Sequence, residues 1–283
     1  MLTMKTKLIL FSVMCLLAIT ASAQKKSVQT NVMSFNIRYD NPGDGTNAWK
    51  YRADNVAQLI NYYTPDLLGM QEVMKNQLDD LKKRLPQYTA LGVARIDGKE
   101  KGEFCSIFFR TDRYQLLQHG NFGLSETPDK FGVKGWDSAC ERIVTWAILK
   151  DKQTGNKLAF FNTHFDHVGQ ISRRESAKLL LTKVKEIAGP LPVAITGDFN
   201  MTTDTEPFKI LTDGGLNASC FNAPIIYGPA GSFHGFGRIE EKDRSLIDFI
   251  FVNKSIQVQK YRVIADQPLN GYVSDHNPIL ITF

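Results

Sequence analysis

Six polar clusters in this 283-residue chain stand at or just past the ends of apolar runs. They are Asn36 in Ser34-Phe35-Asn36-Ile37-Arg38, Glu72 in Gln71-Glu72-Val73, and His164 in Asn162-Thr163-His164-Phe165-Asp166-His167. The others are Asp198 and Asn200 in Gly197-Asp198-Phe199-Asn200, Asp248 in Ile247-Asp248-Phe249-Ile250, and Asp275-His276 in Ser274-Asp275-His276-Asn277-Pro278. Glu72, Asp198, Asp275, Asn36 and Asn200 offer hard oxygen ligands without a thiolate, which suits Mg²⁺, Mn²⁺ or Ca²⁺ and disfavours zinc. His164 and His276 titrate near neutrality, and a carboxylate could orient each. A divalent metal, two imidazoles and a water-positioning Asp together fit attack on phosphorus, where spread charge is neutralised and a nucleophile aimed. Each residue also has a plain reading. Asn36, Asn200 and Asp275 suit turns, whereas Asp248 inside an apolar run is harder to explain, because an unpaired buried carboxylate is costly.

The elements that would position these side chains alternate between strand and helix. Strands are expected over 28–37, 66–70, 88–93, 103–110, 114–119, 142–149, 157–162, 192–196, 247–252, 256–265 and 278–283, from β-branched and apolar runs broken by Gly, Pro and Asn. The spacing predicts helices over 51–63, 76–85, 172–188 and 206–212, the third opening on a Ser172-x-x-Glu175 capping box. Residues 103–110 and 114–119 read as one hairpin and 142–149 with 157–162 as another. Ends of neighbouring strands converge on one rim of a sheet, where ligands bind. No strand is followed by a nucleotide-binding glycine fingerprint. Hairpins interleaved with βα units argue for one α/β (α+β) domain over residues 24–283 rather than a doubly wound sheet.

Residues 1–23 read as a signal peptide: Lys5 and Lys7, an apolar run from Leu8 to Ile19, and Ala21-Ser22-Ala23 before Gln24. That run is too short for a membrane span, which needs about 20 residues, so the expected protein is periplasmic or secreted, with no transmembrane segment, and monomeric. Without Lys5 and Lys7 the 34 basic residues become 32 against 29 acidic, a net charge near +3. That excludes the dense basic stripe of a protein holding long nucleic acid by its backbone. Cys105, Cys140 and Cys220 remain after cleavage, with neither CxxC spacing nor an even count. Four further side chains are candidates for substrate contact. His167 and Arg142 suit phosphate, Arg through its planar fork, and Trp136 and His234 lie in aromatic, Gly-rich loops that would frame the pocket, as do Trp49, Phe233 and Phe236.

The six clusters, in this order, resemble the motifs of the endonuclease/exonuclease/phosphatase superfamily, the deoxyribonuclease I-like group. The resemblance spans the chain after the leader and implies a four-layer α/β sandwich, two mixed β-sheets packed face to face with helices outside, carrying an Mg²⁺-dependent phosphoesterase site on one rim. It implies Glu72 as principal metal ligand, with Asn36 and Asp275 supporting the metal. Asp198 and Asn200 would position water and phosphate, Asp248 would orient His276, and His276 would act as general base or bind a phosphoryl oxygen. His164 departs from the abasic-site branch, which has Tyr there. By the same resemblance Glu103 is expected to hydrogen-bond His164. The implied function is an exported metal-dependent phosphoesterase, a phosphodiesterase in the first instance, using Mg²⁺ with Mn²⁺ as substitute on a small organic or lipid-headgroup phosphate. An extracellular nuclease and a non-catalytic binding protein on the same sandwich are the alternatives.

Overall fold

The computed structural model describes residues 28–268 and 271–283. The signal-peptide expectation therefore lies outside the described residues. No helix among them is long and apolar enough to cross a membrane.

Among the described residues, one sheet has seven strands. Its centre is β1 (Asn31–Asn36), flanked by β2 (Leu67–Val73) and β13 (Ile279–Thr282). Beyond β2 come β4 (Phe104–Arg110) and β3 (Tyr88–Leu91), and beyond β13 come β12 (Lys260–Val263) and β10 (Ile225–Tyr227). The second sheet has the order β5 (Tyr114–Gly123), β6 (Ile143–Asp151), β7 (Lys157–His164), β8 (Val193–Asp198), β11 (Asp248–Asn253) and β9 (Leu216–Ala218). Both sheets are mixed: β1 pairs with β2 in parallel and with β13 antiparallel, and β7 pairs with β8 in parallel while β8 pairs with β11 antiparallel.

Period-two alternation sends successive side chains to opposite faces, and this builds the layers. Val32 and Leu67 enter an inter-sheet core with Ala147, Phe160, Ala194 and Ile250. Their neighbours Met33, Phe35, Leu68 and Met70 face helices α1 (Trp49–Tyr63) and α2 (Lys75–Arg84). On the other side Phe161, Val193 and Ile195 pack beneath α3 (Gln170–Ala188) and α4 (Glu206–Asp213). The result is the expected four-layer sandwich. A polar bridge crosses the inter-sheet core near one rim: Asn162 Nδ2 donates to the carbonyls of Met70 and Ser106 at 2.8 and 2.9 Å, and its Oδ1 accepts from Gln71 and Thr196 at 2.6 and 3.0 Å. Gly69 makes room for it, since a Cβ there would stand 1.9 Å from Thr196 Oγ1.

Two local expectations fail, each to a tertiary partner. Residues 103–110 and 114–119 do not form a hairpin. β4 pairs with β2 and β3 while β5 pairs with β6, so Thr111–Arg113 carries the chain from one sheet to the other. Arg113 fastens that crossing, spanning Asp66 at 2.6 Å and Asp151 at 3.1 Å with all three buried. The helix expected from Ser172 opens at Gln170, and its capping box is absent. Asp137 accepts from the Ile171 and Ser172 backbone N–H instead, Ser172 Oγ meets Ser138 Oγ at 2.6 Å, and Glu175 pairs with Arg174 and Lys178. A carboxylate reaching in from a distant loop has displaced the local cap. The 142–149 and 157–162 pair is a hairpin as expected, extended at both ends.

Candidate active site

The strand directions bring the six clusters to one rim. Asn36, Glu72, His164 and Asp198 lie at or near the C-terminal ends of β1, β2, β7 and β8, while Asp248 opens the antiparallel β11 directly across from Asp198. The Ser274–Asn277 turn precedes β13, antiparallel to β1. It is tied down by Ser274 Oγ donating to the Asn36 carbonyl at 2.7 Å and by Asn277 N donating to the Ser232 carbonyl at 2.7 Å. The bend at Asn277-Pro278 thus brings Asp275 and His276 to the same cavity, although they are sequence neighbours. That cavity is about 480 Å³ and is also lined by Glu72, Glu103, Arg142, His164, His167, Asp198 and Asn200.

Each polar group has a defined partner. Glu72 sits on a β-bulge between Met70 and Val73 with φ 59, so its side chain leaves the ladder for the rim. Its Oε2 accepts from Tyr39 N at 3.1 Å. Asn36 Nδ2 donates to Glu72 Oε1 at 3.1 Å and Asp198 Oδ2 at 2.9 Å, while its Oδ1 accepts from Arg38 N at 3.0 Å. The amide therefore turns its nitrogen, not its oxygen, toward the carboxylates. Asp198 Oδ1 accepts from Asn200 N at 3.0 Å. Asn200, at φ 47, donates Nδ2 to the Phe165 carbonyl and approaches His164 Nε2 at 3.0 Å. His276 Nδ1 meets Asp248 Oδ2 at 2.8 Å, and His276 Nε2 points toward Asp198 at 3.8 Å.

Burial and partners push the titrating groups apart. Burial lowers His276, but Asp248, Asp198 and Asp275 outweigh it and raise its pKa to about 10, so the ring is an imidazolium at neutral pH. Burial, followed by the Arg142 and Arg95 charges, holds His164 well below its ordinary value, so that ring is neutral. Burial and the neighbouring Asp248 push Asp198 up to about 7. One imidazole is thus a fixed cation held by Asp248, the other a neutral ring beside Asn200, and Asp198 between them is a carboxylate able to take up a proton near neutrality.

Four expected placements are not found. Glu103 does not reach His164: its carboxylate is taken by Arg95 Nη1 at 2.7 Å, and His164 Nδ1 is buried without a partner. The nearby guanidinium offers the Glu103 carboxylate a charge-assisted bond that a neutral imidazole cannot match. His234 is buried away from the cavity, stacked 5.0 Å from Tyr272, with Nδ1 accepting from Gly237 N. Trp136 also lies off the cavity lining, with φ 53 and its N–H held by Glu126. Trp49 opens α1 rather than a loop and donates Nε1 to Asp80 at 2.9 Å. Arg142 and His167 do line the cavity, and they touch each other at 3.0 Å.

Other side chains at the site carried weak sequence signals. Phe233 lines the cavity as expected, and Arg38, Tyr39, Arg95 and Cys140 line it as well. Asp166 is fully buried, accepts from the backbone N–H of Ala139, Cys140, Val168 and Gly169, and holds Arg142 Nε at 3.3 Å. Burial would raise it, yet those donors and the guanidinium keep it far below the usual carboxylate range. Its place two residues after His164 was the available signal. Arg52 is the clearest omission. It occupies the α1 position four before Val56, on the apolar face, where an Arg must be neutralised or bonded throughout. Cys105, Cys140 and Cys220 are all free thiols.

The donor set fits a hard divalent cation. Glu72, His164 and Asp198 each offer a ligand atom within 4.8 Å of the others, and Asp275 faces the same cavity. Carboxylate oxygens suit the harder divalent ions, and the imidazole admits softer ones too. As oriented here, Asn36 would have to turn over its amide to ligate, giving up the Arg38 N–H. A cation held there would supply positive charge to a phosphoryl oxygen. The chain's own residues would do the rest. Asp198, aimed by Asn36 and Asn200, would accept a proton from an attacking water, His276 would present its N–H to a phosphoryl oxygen, and Arg142 and His167, which line the cavity, would be further phosphate contacts.

A four-layer sandwich with a carboxylate and imidazole rim of this kind defines a metal-dependent phosphoric ester hydrolase. The pattern of the Endonuclease/Exonuclease/phosphatase family matches residues 33–276, and the chain belongs to that family. A family structure from Bacteroides vulgatus is 44% identical with a TM-score of 0.88, covering 90% of this chain and 98% of its own. The mannosyl-6-phosphatase of Bacteroides thetaiotaomicron is 38% identical with a TM-score of 0.84, covering 89% of this chain and 98% of its own. An uncharacterized protein of Acanthamoeba polyphaga mimivirus is 28% identical over 256 residues, which is 83% of this chain and 92% of that protein.

Proposed function

We propose that the chain hydrolyses the phosphoric ester of a small organic molecule with Mg²⁺, or Mn²⁺ in its place, and that it does so outside the cytoplasm as a monomer. One observation carries the substrate reading. The cavity sets the carboxylates Glu72, Glu103, Asp198 and Asp275 beside the cations Arg38, Arg95, Arg142 and His276 in about 480 Å³, a volume suited to a small ligand. A compact cavity with that many guanidinium groups matches a terminal phosphate dianion better than a strand of nucleic acid, which requires an extended basic track. Among small phosphates, a sugar phosphate is favoured by the likeness to the mannosyl-6-phosphatase.

Wild type and Glu72→Gln are to be compared on mannose 6-phosphate, glucose 6-phosphate, inositol phosphates, bis-p-nitrophenyl phosphate, sphingomyelin, RNA and duplex DNA, with Mg²⁺ and with chelator. The expected result is Mg²⁺-dependent phosphate release from a sugar phosphate and at least a hundredfold loss in the variant. Faster cleavage of DNA or RNA overturns the small-substrate reading, and preferred cleavage of sphingomyelin or the bis-ester restores the diester reading. Export rests on Lys5, Lys7, the Leu8–Ile19 run and Ala21-Ser22-Ala23. N-terminal sequencing of the purified protein should begin at Gln24, and a protein starting at Met1 counts against export.

A further inference from the structure

One of the cations that line the cavity, Arg38, stands between the metal carboxylates. Arg38 follows β1 in the left-handed region, φ 58, a conformation that a non-glycine residue keeps only when its surroundings enforce it. Asn36 Oδ1 takes its N–H, and its carbonyl accepts from Arg52 Nη2 and Gln77 Nε2. This backbone directs the guanidinium between Glu72 and Asp275, with Nη1 4.0 Å from Glu72 Oε2 and Nε 3.9 Å from Asp275 Oδ2. The same guanidinium forks onto a third carboxylate, Asp44, by Nε at 3.0 Å and Nη2 at 3.1 Å, and packs 4.4 Å from the centre of the Tyr39 ring.

We propose that Arg38, held on Asp44, is a resident counter-cation for the Glu72 and Asp275 carboxylates, so that Arg38 lowers the affinity of this rim for a divalent metal and Asp44, by holding it back, limits by how much. The inference rests on the reading of this rim as a metal site. Two carboxylates facing one enclosed cavity repel each other unless a positive charge stands between them. Without metal, Arg38 supplies that charge. A doubly charged ion placed among the same oxygens repels the guanidinium, and Asp44, which already holds it with both oxygens, keeps it back from the ion. Without Asp44 the arm has only Glu72 and Asp275 as carboxylate partners, and it competes with the metal directly.

Isothermal titration with Mn²⁺ on the full chain, beside thermal unfolding in chelator, tests the proposal through Arg38→Met and Asp44→Asn. Arg38→Met is expected to bind Mn²⁺ at least tenfold more tightly than wild type, because the competing charge is gone. Asp44→Asn is expected to bind about tenfold more weakly, because Arg38 then has only Glu72 and Asp275 as carboxylate partners. A merely structural role would weaken binding in both variants, in step with a lowered unfolding temperature. Unchanged or weaker binding by Arg38→Met overturns the counter-cation role, and unchanged binding by Asp44→Asn overturns the part given to Asp44. If wild type binds no Mn²⁺ at all, the metal reading fails and this inference fails with it.

Discussion

His276→Gln is expected to lower kcat by about a thousandfold while leaving the fold intact, within the range for losing a positioned acid–base or charge-stabilising group. The argument starts from the pair with Asp248. A buried carboxylate 2.8 Å from Nδ1 keeps the ring charged and fixes its plane, and Nε2 is left facing Asp198 and the cavity. Glutamine keeps a donor and most of the volume but loses the positive charge. Steady-state kinetics at saturating substrate and Mg²⁺ check this, and a loss under tenfold removes His276 from the chemistry.

The same substitution has a signature without substrate or metal. The folded pKa of His276 is raised, to about 10, above an unfolded value of about 6.5. A raised cation contributes stability that is fully present below the unfolded value and is lost as pH climbs through the folded one. The stability gap between wild type and His276→Gln should therefore be widest below about pH 6.5 and should shrink as pH rises toward 10. Urea unfolding in chelator at both ends of that window measures it, and a pH-independent gap would contradict the ion pair.

Arg52→Met should cost about 3 to 5 kcal/mol and lower Tm by roughly 10 °C, one of the larger effects available to a single side chain in this chain. Arg52 is 2% exposed and forms no ion pair among the described residues. It donates instead to four carbonyls: Asn47 at 2.5 Å, Ile37 and Val273 at 2.8 Å, and Arg38 at 3.2 Å. Burial lowers its pKa to about 10 even though Asp275 and Asp44 oppose the shift, so the charge persists at neutral pH. Methionine fills much of the space but takes this donor from the carbonyls of Asn47, Ile37 and Val273, while the Arg38 carbonyl keeps Gln77. Two of them, Ile37 and Val273, flank residues of the site, so activity measured well below Tm should fall as well. Differential scanning calorimetry decides the first part, and an unchanged Tm would show that the carbonyls find other donors.

Individual elements and the chemistry of the rim were legible in the sequence because both are local. Alternating apolar residues made β1, β7 and β8 strands, and Gly-Asp-Phe-Asn after an apolar run set its carboxylate at a strand end. Partners were not legible. The turn at Thr111–Arg113 carries ordinary hairpin signals, yet an ion pair from Asp66 through Arg113 to Asp151 makes it a crossing between sheets. Glu103 stood at the right strand start to meet His164, and Arg95, eight residues earlier in the loop leading into that strand, took it.

By itself the sequence determined the order of elements, the rim at which the polar clusters gather, and the hard-oxygen and imidazole character of the site, since these depend on periodicity and residue type. Only the tertiary structure decided which carboxylate faces which cation. Charge pairing acts over a few ångströms between segments up to more than 200 residues apart, as with Arg38 and Asp275, and no spacing along the chain encodes that distance. Arg38 and Arg52 are ordinary basic residues in a sequence and become, respectively, a cation among the metal carboxylates and a buried brace only once β1, α1 and the Ser274–Asn277 turn are packed together.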